Sequence, residues 1–209
     1  GGDTPFEEVL ARTKFVITTS IKEGFGFSFL EPWTIDLEVR GRWLDAVCGD
    51  FVRTGVRLNN FYSAFLVPLT AFDYKAFRHR WRKAAREWGA SFDVNFSRPE
   101  LDRELQRLLL SGSIDFALLD ETAQREVIVA AVANQTVKDS ILQANEWLED
   151  LFTNPADQSS IVANKTLIGD QYSESTYRKK LLEMYKQAQK PVHHRVDKNL
   201  LLSEFLSLT

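Results

Sequence analysis

A short apolar run that ends in a glycine turn constrains the fold of this chain more than any other stretch. The run FVITTS, residues 15–20, is apolar and β-branched without alternation, which predicts a strand buried on both faces. Glu23, Gly24 and Gly26 follow it, and a short helix is then predicted through about Ile35. A strand that turns through glycines into a helix is typical of sheets whose strands run parallel.

The order of the elements around this turn predicts an α/β fold. The first residues predict a helix with Thr4 as its N-cap, Pro5 at its first position and Glu7 closing a capping box. A second short strand, LEVRG at residues 37–41, follows the glycine turn and its helix. This order is that of a doubly wound sheet with only two recognisable strands. We therefore expect residues 1–50 to be the trailing part of a Rossmann-like lobe whose earlier strands are missing.

Beyond about Gly49 the sequence predicts a mostly helical region, residues 51–209, that packs on this lobe. Aromatic and basic residues alternate at helical spacing over residues 72–88, and the pattern over residues 121–152 is long and helical. Ser97 and Glu100 have the spacing of a capping box. The helices predicted over residues 161–190 are expected to close the lobe.

Composition excludes several classes of protein. The chain has 26 basic and 29 acidic residues in 209, so its net charge of −3 does not indicate a nucleic-acid binder. A single cysteine, Cys48, permits neither an internal disulfide nor a cysteine-ligated metal site, and no apolar run is long enough to cross a bilayer. These features predict a cytoplasmic protein. The basic run at residues 78–86 is compatible with weak contact to a membrane surface, although a solvated helix face explains it more simply.

The glycine turn has the chemistry of an anion site. A strand followed by a tight turn and a helix start presents backbone N–H groups and the positive end of a helix dipole. Gly24 and Gly26 permit close backbone approach, but any tight turn between a strand and a helix would also use them. Glu23 is predicted to point into the cleft beyond the strand, with Glu31 one helical turn further on. A Ser28–Glu31 capping box and a solvated Glu23 are the structural alternatives.

The stretch from Glu23 to Pro32, EGFGFSFLEP, resembles the E-x7-E motif of retaining GT-B glycosyltransferases, typified by glycosyltransferase family 4. The stretch at residues 161–185, with its Asn, Tyr-Ser and Tyr-containing helix, is similar to the closing pattern of the same family. The resemblance covers about a third of the chain, at its two ends. It implies the C-terminal, donor-binding lobe of a two-lobed enzyme.

The resemblance also implies roles for individual residues. Glu23 would bind the donor sugar and act at the reacting centre, and Glu31 would accept from the ribose hydroxyls of the nucleotide. The backbone amides of Gly24, Phe25, Gly26 and Phe27 would meet the sugar and the diphosphate. The implied partners are a nucleotide-diphosphate sugar and an unidentified acceptor, with no cofactor and no metal.

Other interpretations stay open at this point. A noncatalytic GT-B-like scaffold or partner-binding module would keep the lobe without the chemistry. A phosphorylase of the same fold would use inorganic phosphate in place of a nucleotide. Arg40 and Arg42, which flank Gly41 after the second strand, are equally compatible with a phosphate contact and with a surface role.

Overall fold

The computed structural model describes residues 5–24, 26–188 and 197–205, and over these residues the chain is an α/β protein. Its backbone divides into two compact units. Unit 1 comprises residues 1–63 and 149–192, and unit 2 comprises residues 64–148 and 193–209. These bounds differ from a division at residue 50, since a segment from the second half of the chain belongs with the first.

Along the described chain the helices are α1 (Phe6–Arg12), α2 (Phe27–Thr34), α3 (Asp45–Arg53), α4 (Tyr74–Ala90), α5 (Arg98–Arg107), α6 (Glu121–Ala133), α7 (Gln135–Ala144), α8 (Trp147–Thr153), α9 (Gln158–Gln171), α10 (Glu174–Ala188) and α11 (Lys198–Phe205). The strands are β1 (Phe15–Thr18), β2 (Glu38–Arg42), β3 (Phe61–Tyr62), β4 (Leu66–Pro68), β5 (Leu109–Leu110) and β6 (Ser113–Asp115). Of the described helices, none combines the length and the apolarity that a bilayer-spanning segment requires.

Unit 1 contains a parallel sheet of three strands in the order β1-β2-β3. Both predicted strands are confirmed as β1 and β2, with bounds shifted by one or two residues. The third strand was not predicted, because two residues are too few to produce a recognisable pattern. Beyond Gly49 the described chain is mostly helical but also contains β3 and the three short strands of unit 2, which were not predicted.

The most buried strand of this sheet is the polar one. All of β2 except Arg42 is buried, and β2 is the central strand. The apolar run that was expected to be buried on both faces is β1, yet Ile17 is 38% exposed. The reason is position, because β1 lies at one end of the strand order and pairs only with β2 in the described sheet.

The core of unit 1 lies where α2 and α3 pack with Val39 of β2 and with α9. Phe29 and Trp33 of α2 are fully buried in it. Asn164 of α9, which is also fully buried, joins the two segments of the unit. Its side-chain amide accepts from the Arg57 N–H and donates to the Arg57 carbonyl, both at 2.8 Å.

Unit 2 combines an antiparallel sheet, in the order β4-β6-β5, with helices α4 to α7. Its apolar core includes Phe77 of α4 and Ile114 of β6. Here too a buried asparagine fixes a remote segment: the Asn145 amide accepts from the Leu66 N–H at 2.8 Å and donates to the Leu66 carbonyl at 2.7 Å.

The helix signals of unit 2 are partly confirmed. The capping box of α5 is present, with both the Ser97 and the Glu100 side chains bonded to backbone N–H groups. The helical stretch over residues 121–152 is divided into three helices. It breaks at Asn134, whose side chain caps α7 by accepting from the Thr136 N–H, and at Asn145.

The predicted N-terminal helix exists as α1, but its start differs. Pro5 is the N-cap and Phe6 the first helical residue, and no side chain caps the helix. Thr4, the predicted cap, lies outside the described residues.

Candidate functional site

The glycine turn connects the carboxyl end of β1 to the start of α2 in unit 1. The parallel strands β1, β2 and β3 end at Thr18, Arg42 and Tyr62, so their carboxyl ends form one edge of the sheet. We call it the carboxyl edge. In open α/β sheets ligands bind beyond this edge, in the loops that leave the strands.

Gly26 is the N-cap of α2 and has a left-handed backbone, with φ 71° and ψ 24°. A Cβ atom on it would lie 2.6 Å from Cγ1 of Val47 and 2.9 Å from Cζ of Phe51, both on α3. Backbone conformation and packing therefore each require glycine here. The turn holds the start of α2 close against α3, irrespective of any ligand.

Gly24 is different, because a Cβ atom added to it would meet no heavy atom of the described residues within 4 Å. It is exposed, and its backbone does not have the positive φ that would call for glycine. Neither packing nor strain explains Gly24. Open space beside the backbone is what a ligand that approaches the main chain would need.

Glu23 lies in the loop, half-buried, and accepts a hydrogen bond at Oε1 from the Ser28 hydroxyl at 3.0 Å. This bond joins the two sides of the glycine turn. The Ser28–Glu31 capping box that the sequence suggested is absent from the described structure, because α2 begins one residue before Ser28 and its N-cap is Gly26. The Ser28 side chain instead donates its hydrogen bond to the Glu23 carboxylate.

Glu31 is the fifth residue of α2 and lies on its exposed side, since Phe29, Leu30 and Trp33 form the buried side. Its carboxylate has no hydrogen-bond or ion-pair partner among the described residues. No contact joins Glu23 to Glu31 there, so the common crevice stays a prediction.

Of the other predicted site residues, Phe27 is the first residue of α2 and is 60% exposed. Phe25 lies outside the described residues. The helix continues through Pro32 to Thr34, so the proline does not end α2 at Glu31.

The close approach of β1 and β2 explains the glycine between the two arginines. Gly41 pairs with Thr18 in the strand register, and a Cβ atom on Gly41 would lie 2.1 Å from the Thr18 carbonyl oxygen. Any larger residue would push β2 away from the strand that leads into the glycine turn.

Arg40 does not reach the candidate site. Its side chain is fully buried, with the guanidinium 4.1 Å from the centre of the Phe15 ring. It donates from Nε to Glu38 at 2.8 Å and from its terminal nitrogens to the carbonyls of Leu151 and Asn154. The proposed phosphate contact and the proposed surface role are both wrong for Arg40. Arg40 is instead a structural residue that ties the end of α8 to the sheet.

Arg42 remains compatible with a role at the site. It is the last residue of β2 and is half-buried, beside Tyr62 at the carboxyl edge. The signal that separates Arg42 from Arg40 is position along the strand, because Arg42 is the last residue of β2 and Arg40 lies two residues inside it.

No group of three or more His, Cys, Asp or Glu side chains in the described part of the chain is arranged to hold a metal ion. Comparisons with protein-family models, with curated proteins and with solved structures each gave no match. A functional assignment must therefore be argued from the residues at the carboxyl edge.

Proposed function

We propose that unit 1 is the donor-binding part of a retaining glycosyltransferase that transfers a sugar from a nucleotide diphosphate to an acceptor. The observation that carries the proposal is the position of the E-x7-E stretch. It leaves the parallel strand β1 at its carboxyl end, turns through Gly24 and Gly26, and enters a helix whose exposed side carries Glu31. A Rossmann-like lobe binds its nucleotide at this kind of edge.

In this proposal the two glutamates have different tasks. Glu23, held by Ser28, hydrogen-bonds the donor sugar and stabilises the reacting centre as the bond to the diphosphate breaks. Glu31, which is unpaired among the described residues and exposed, accepts hydrogen bonds from the two ribose hydroxyls. The backbone N–H groups of Gly24, Gly26 and Phe27 would meet the sugar and the diphosphate, and the N-terminal dipole of α2 favours the negative charge that develops on the leaving group.

Two further elements of the proposal rest on sequence features. The lone cysteine is buried and free, which agrees with a protein that works in the cytoplasm. The donor is a nucleotide-diphosphate sugar, and the proposal requires no metal cofactor. The acceptor binds elsewhere, on a lobe that precedes unit 1 in enzymes of this architecture.

A noncatalytic module is the second candidate, and one observation favours it. Gly26 is already required by its left-handed backbone and by the side chains of Val47 and Phe51. A scaffold that had lost its activity would therefore keep this glycine for packing alone. Such a module would bind no nucleotide, whereas a phosphorylase of the same fold would act with inorganic phosphate.

The test is a calorimetric and thermal-shift screen of the chain with UDP, GDP, ADP and their sugar conjugates. A ligand that binds only the folded state raises its unfolding temperature. We expect saturable binding of one nucleotide, and Glu31→Gln should weaken it about tenfold, since a carboxylate bonds hydroxyls more strongly than an amide does. Glu183→Gln, at an exposed glutamate of α10 that has no ion pair with the described residues, serves as the control and should bind like the wild type.

Equal affinity in Glu31→Gln and Glu183→Gln would remove Glu31 from the site. Because the N-cap of α2 is Gly26, neither variant should lower the unfolding temperature. Phosphorolysis of a sugar donor without any nucleotide requirement would favour the phosphorylase.

A further inference from the structure

Helix α4 of unit 2 concentrates positive charge in a chain that is acidic overall. Between residues 74 and 90 it has six Lys or Arg residues and one Glu, a formal charge of +5, whereas the whole chain has a formal charge of −3. His79, Arg82, Lys83 and Arg86 lie three or four residues apart, so they share one side of the helix. Like charges at this spacing repel one another and destabilise an isolated helix.

These side chains line a cleft together with Arg98, the first residue of α5. The cleft has a volume of about 500 Å³. Its lining residues are His79, Arg82, Lys83, Arg86, Glu87 and Arg98. We call it the basic cleft, and Glu87 is the one acidic residue among the described residues that line it.

The charge of the basic cleft is only partly neutralised by its neighbours. Asp102 of α5 receives hydrogen bonds from Nε and Nη2 of Arg82 and lies 4.0 Å from Nε of Arg98. Asp102 thus holds the Arg82 guanidinium, and its single negative charge cannot neutralise both Arg82 and Arg98. Lys83 approaches Glu87 only to 3.8 Å, and Arg86 has no ion-pair partner among the described residues.

We infer that the basic cleft binds a phosphate-bearing ligand. Guanidinium groups match the geometry of phosphate oxygens through paired hydrogen bonds, and Arg82, with a side chain only 11% exposed, is held in place by Asp102 before any ligand arrives. A volume of about 500 Å³ is large enough for a phosphorylated group of moderate size. This site belongs to unit 2 and does not depend on the glycosyltransferase proposal.

Two sources of the phosphate are chemically equivalent here, a soluble phosphate compound and the headgroup of an anionic lipid. Inorganic pyrophosphate, titrated by calorimetry at low ionic strength, is the probe for the first. Vesicles of phosphatidylcholine with and without phosphatidylglycerol, in a sedimentation assay, are the probe for the second. Both probes are tested with the 209-residue chain.

Two double variants with the same change in net charge separate a site from general electrostatic attraction. Lys83→Gln with Arg86→Gln removes two cations from the basic cleft. Lys75→Gln with Arg103→Gln removes two exposed cations from α4 and α5 that do not line the cleft. Since all four side chains are exposed, circular dichroism should show both variants folded.

We expect the cleft variant to lose about tenfold or more in affinity for one of the two probes, and the matched variant to stay within about twofold of the wild type. Loss of pyrophosphate binding identifies a soluble phosphate ligand, and loss of vesicle binding identifies a lipid headgroup. Equal losses in the two variants, or no saturable binding of either probe by the wild type, would overturn the inference.

Discussion

The Arg40 guanidinium and the Glu38 carboxylate form a buried ion pair in the central strand of the parallel sheet, with 2.6 Å between Nη2 and Oε2. The second carboxylate oxygen of Glu38 accepts from the Asn60 side chain at 2.7 Å. Arg40 also donates to the carbonyls of Leu151 and Asn154 at the end of α8. The negative end of the helix dipole favours a cation at this position. This network joins both chain segments of unit 1.

Replacing Arg40 with Met should destabilise unit 1 by about 3–5 kcal/mol, because it leaves Glu38 buried without its cation. Urea unfolding followed by circular dichroism measures the change. The double variant Glu38→Met with Arg40→Met should recover part of the loss, since no buried charge is left unpaired.

The exposed pair of Arg53 and Asp50 on α3 provides the control for Arg40. Both side chains are more than half exposed, so Arg53→Met should cost less than about 1 kcal/mol. A loss for Arg40→Met no larger than this would show that the buried pair contributes little.

Gly26→Ala should destabilise the fold, by about 1–3 kcal/mol for the left-handed backbone alone and more for the clash with Val47. Adding Val47→Ala should recover part of the clash contribution but none of the backbone contribution. Gly24→Ala is the matched control and should stay within about 0.5 kcal/mol of the wild type, because no heavy atom of the described residues lies within 4 Å of the added Cβ. If Gly24→Ala is stable yet fails to bind a nucleotide, we would conclude that the nucleotide occupies the open space beside Gly24.

The glycosyltransferase proposal predicts that Glu23→Gln lowers kcat about 100-fold or more while nucleotide affinity changes by less than about threefold, since the Glu23 charge would act mainly at the reacting centre. Ser28→Ala, which removes the hydrogen bond to Glu23, should lower kcat by a smaller factor and leave KM for the donor unchanged. Ser28→Thr keeps the hydroxyl and should restore much of the rate. Wild-type kcat in Glu23→Gln would exclude Glu23 from the mechanism, and equal rates in the Ala and Thr variants would exclude Ser28 as a positioning residue.

Asp120 predicts an acid dependence of stability in unit 2. Its hydrogen bonds from Arg80, at 2.7 and 3.0 Å, lower its pKa below the ordinary value of 3.8, so the folded state binds a proton less readily than the unfolded state. The resulting stabilisation is complete above the ordinary pKa and is lost as the pH falls through the lowered pKa of the folded state.

Asp120→Asn isolates this charge, because Asp120 is also the N-cap of α6 and asparagine caps a helix equally well. The stability difference between the wild type and Asp120→Asn should be largest near neutral pH and should shrink below pH 3.8, the ordinary value. Thermal unfolding at a series of pH values measures it, and a difference that does not change with pH would refute the ion-pair explanation.

Local signals in the sequence identified β1, α2 and the capping box of α5, because each depends on residues within a few positions of one another. The sequence did not predict the burial of β2, because Glu38 and Arg40 are residue types that usually lie on the surface. Their hydrogen-bond partners, Asn60, Leu151 and Asn154, are distant in sequence. The Ser28–Glu31 capping box was a fair local prediction that the close packing of Gly26 against α3 overrides. The hydrogen bond from Ser28 to Glu23 also has a pattern in the sequence, a hydroxyl five residues after a carboxylate with a glycine turn between them. Many turns have this pattern, so it does not predict the bond.

The split composition of unit 1 sets an order of events during synthesis. Residues 64–148 leave the ribosome before residues 149–192, which complete unit 1, and at cellular elongation rates this interval is on the order of ten seconds. During it Arg40 lacks the carbonyls of Leu151 and Asn154, and the Arg57 backbone lacks Asn164. The larger segment of unit 2, residues 64–148, is therefore synthesised before unit 1 has its second segment.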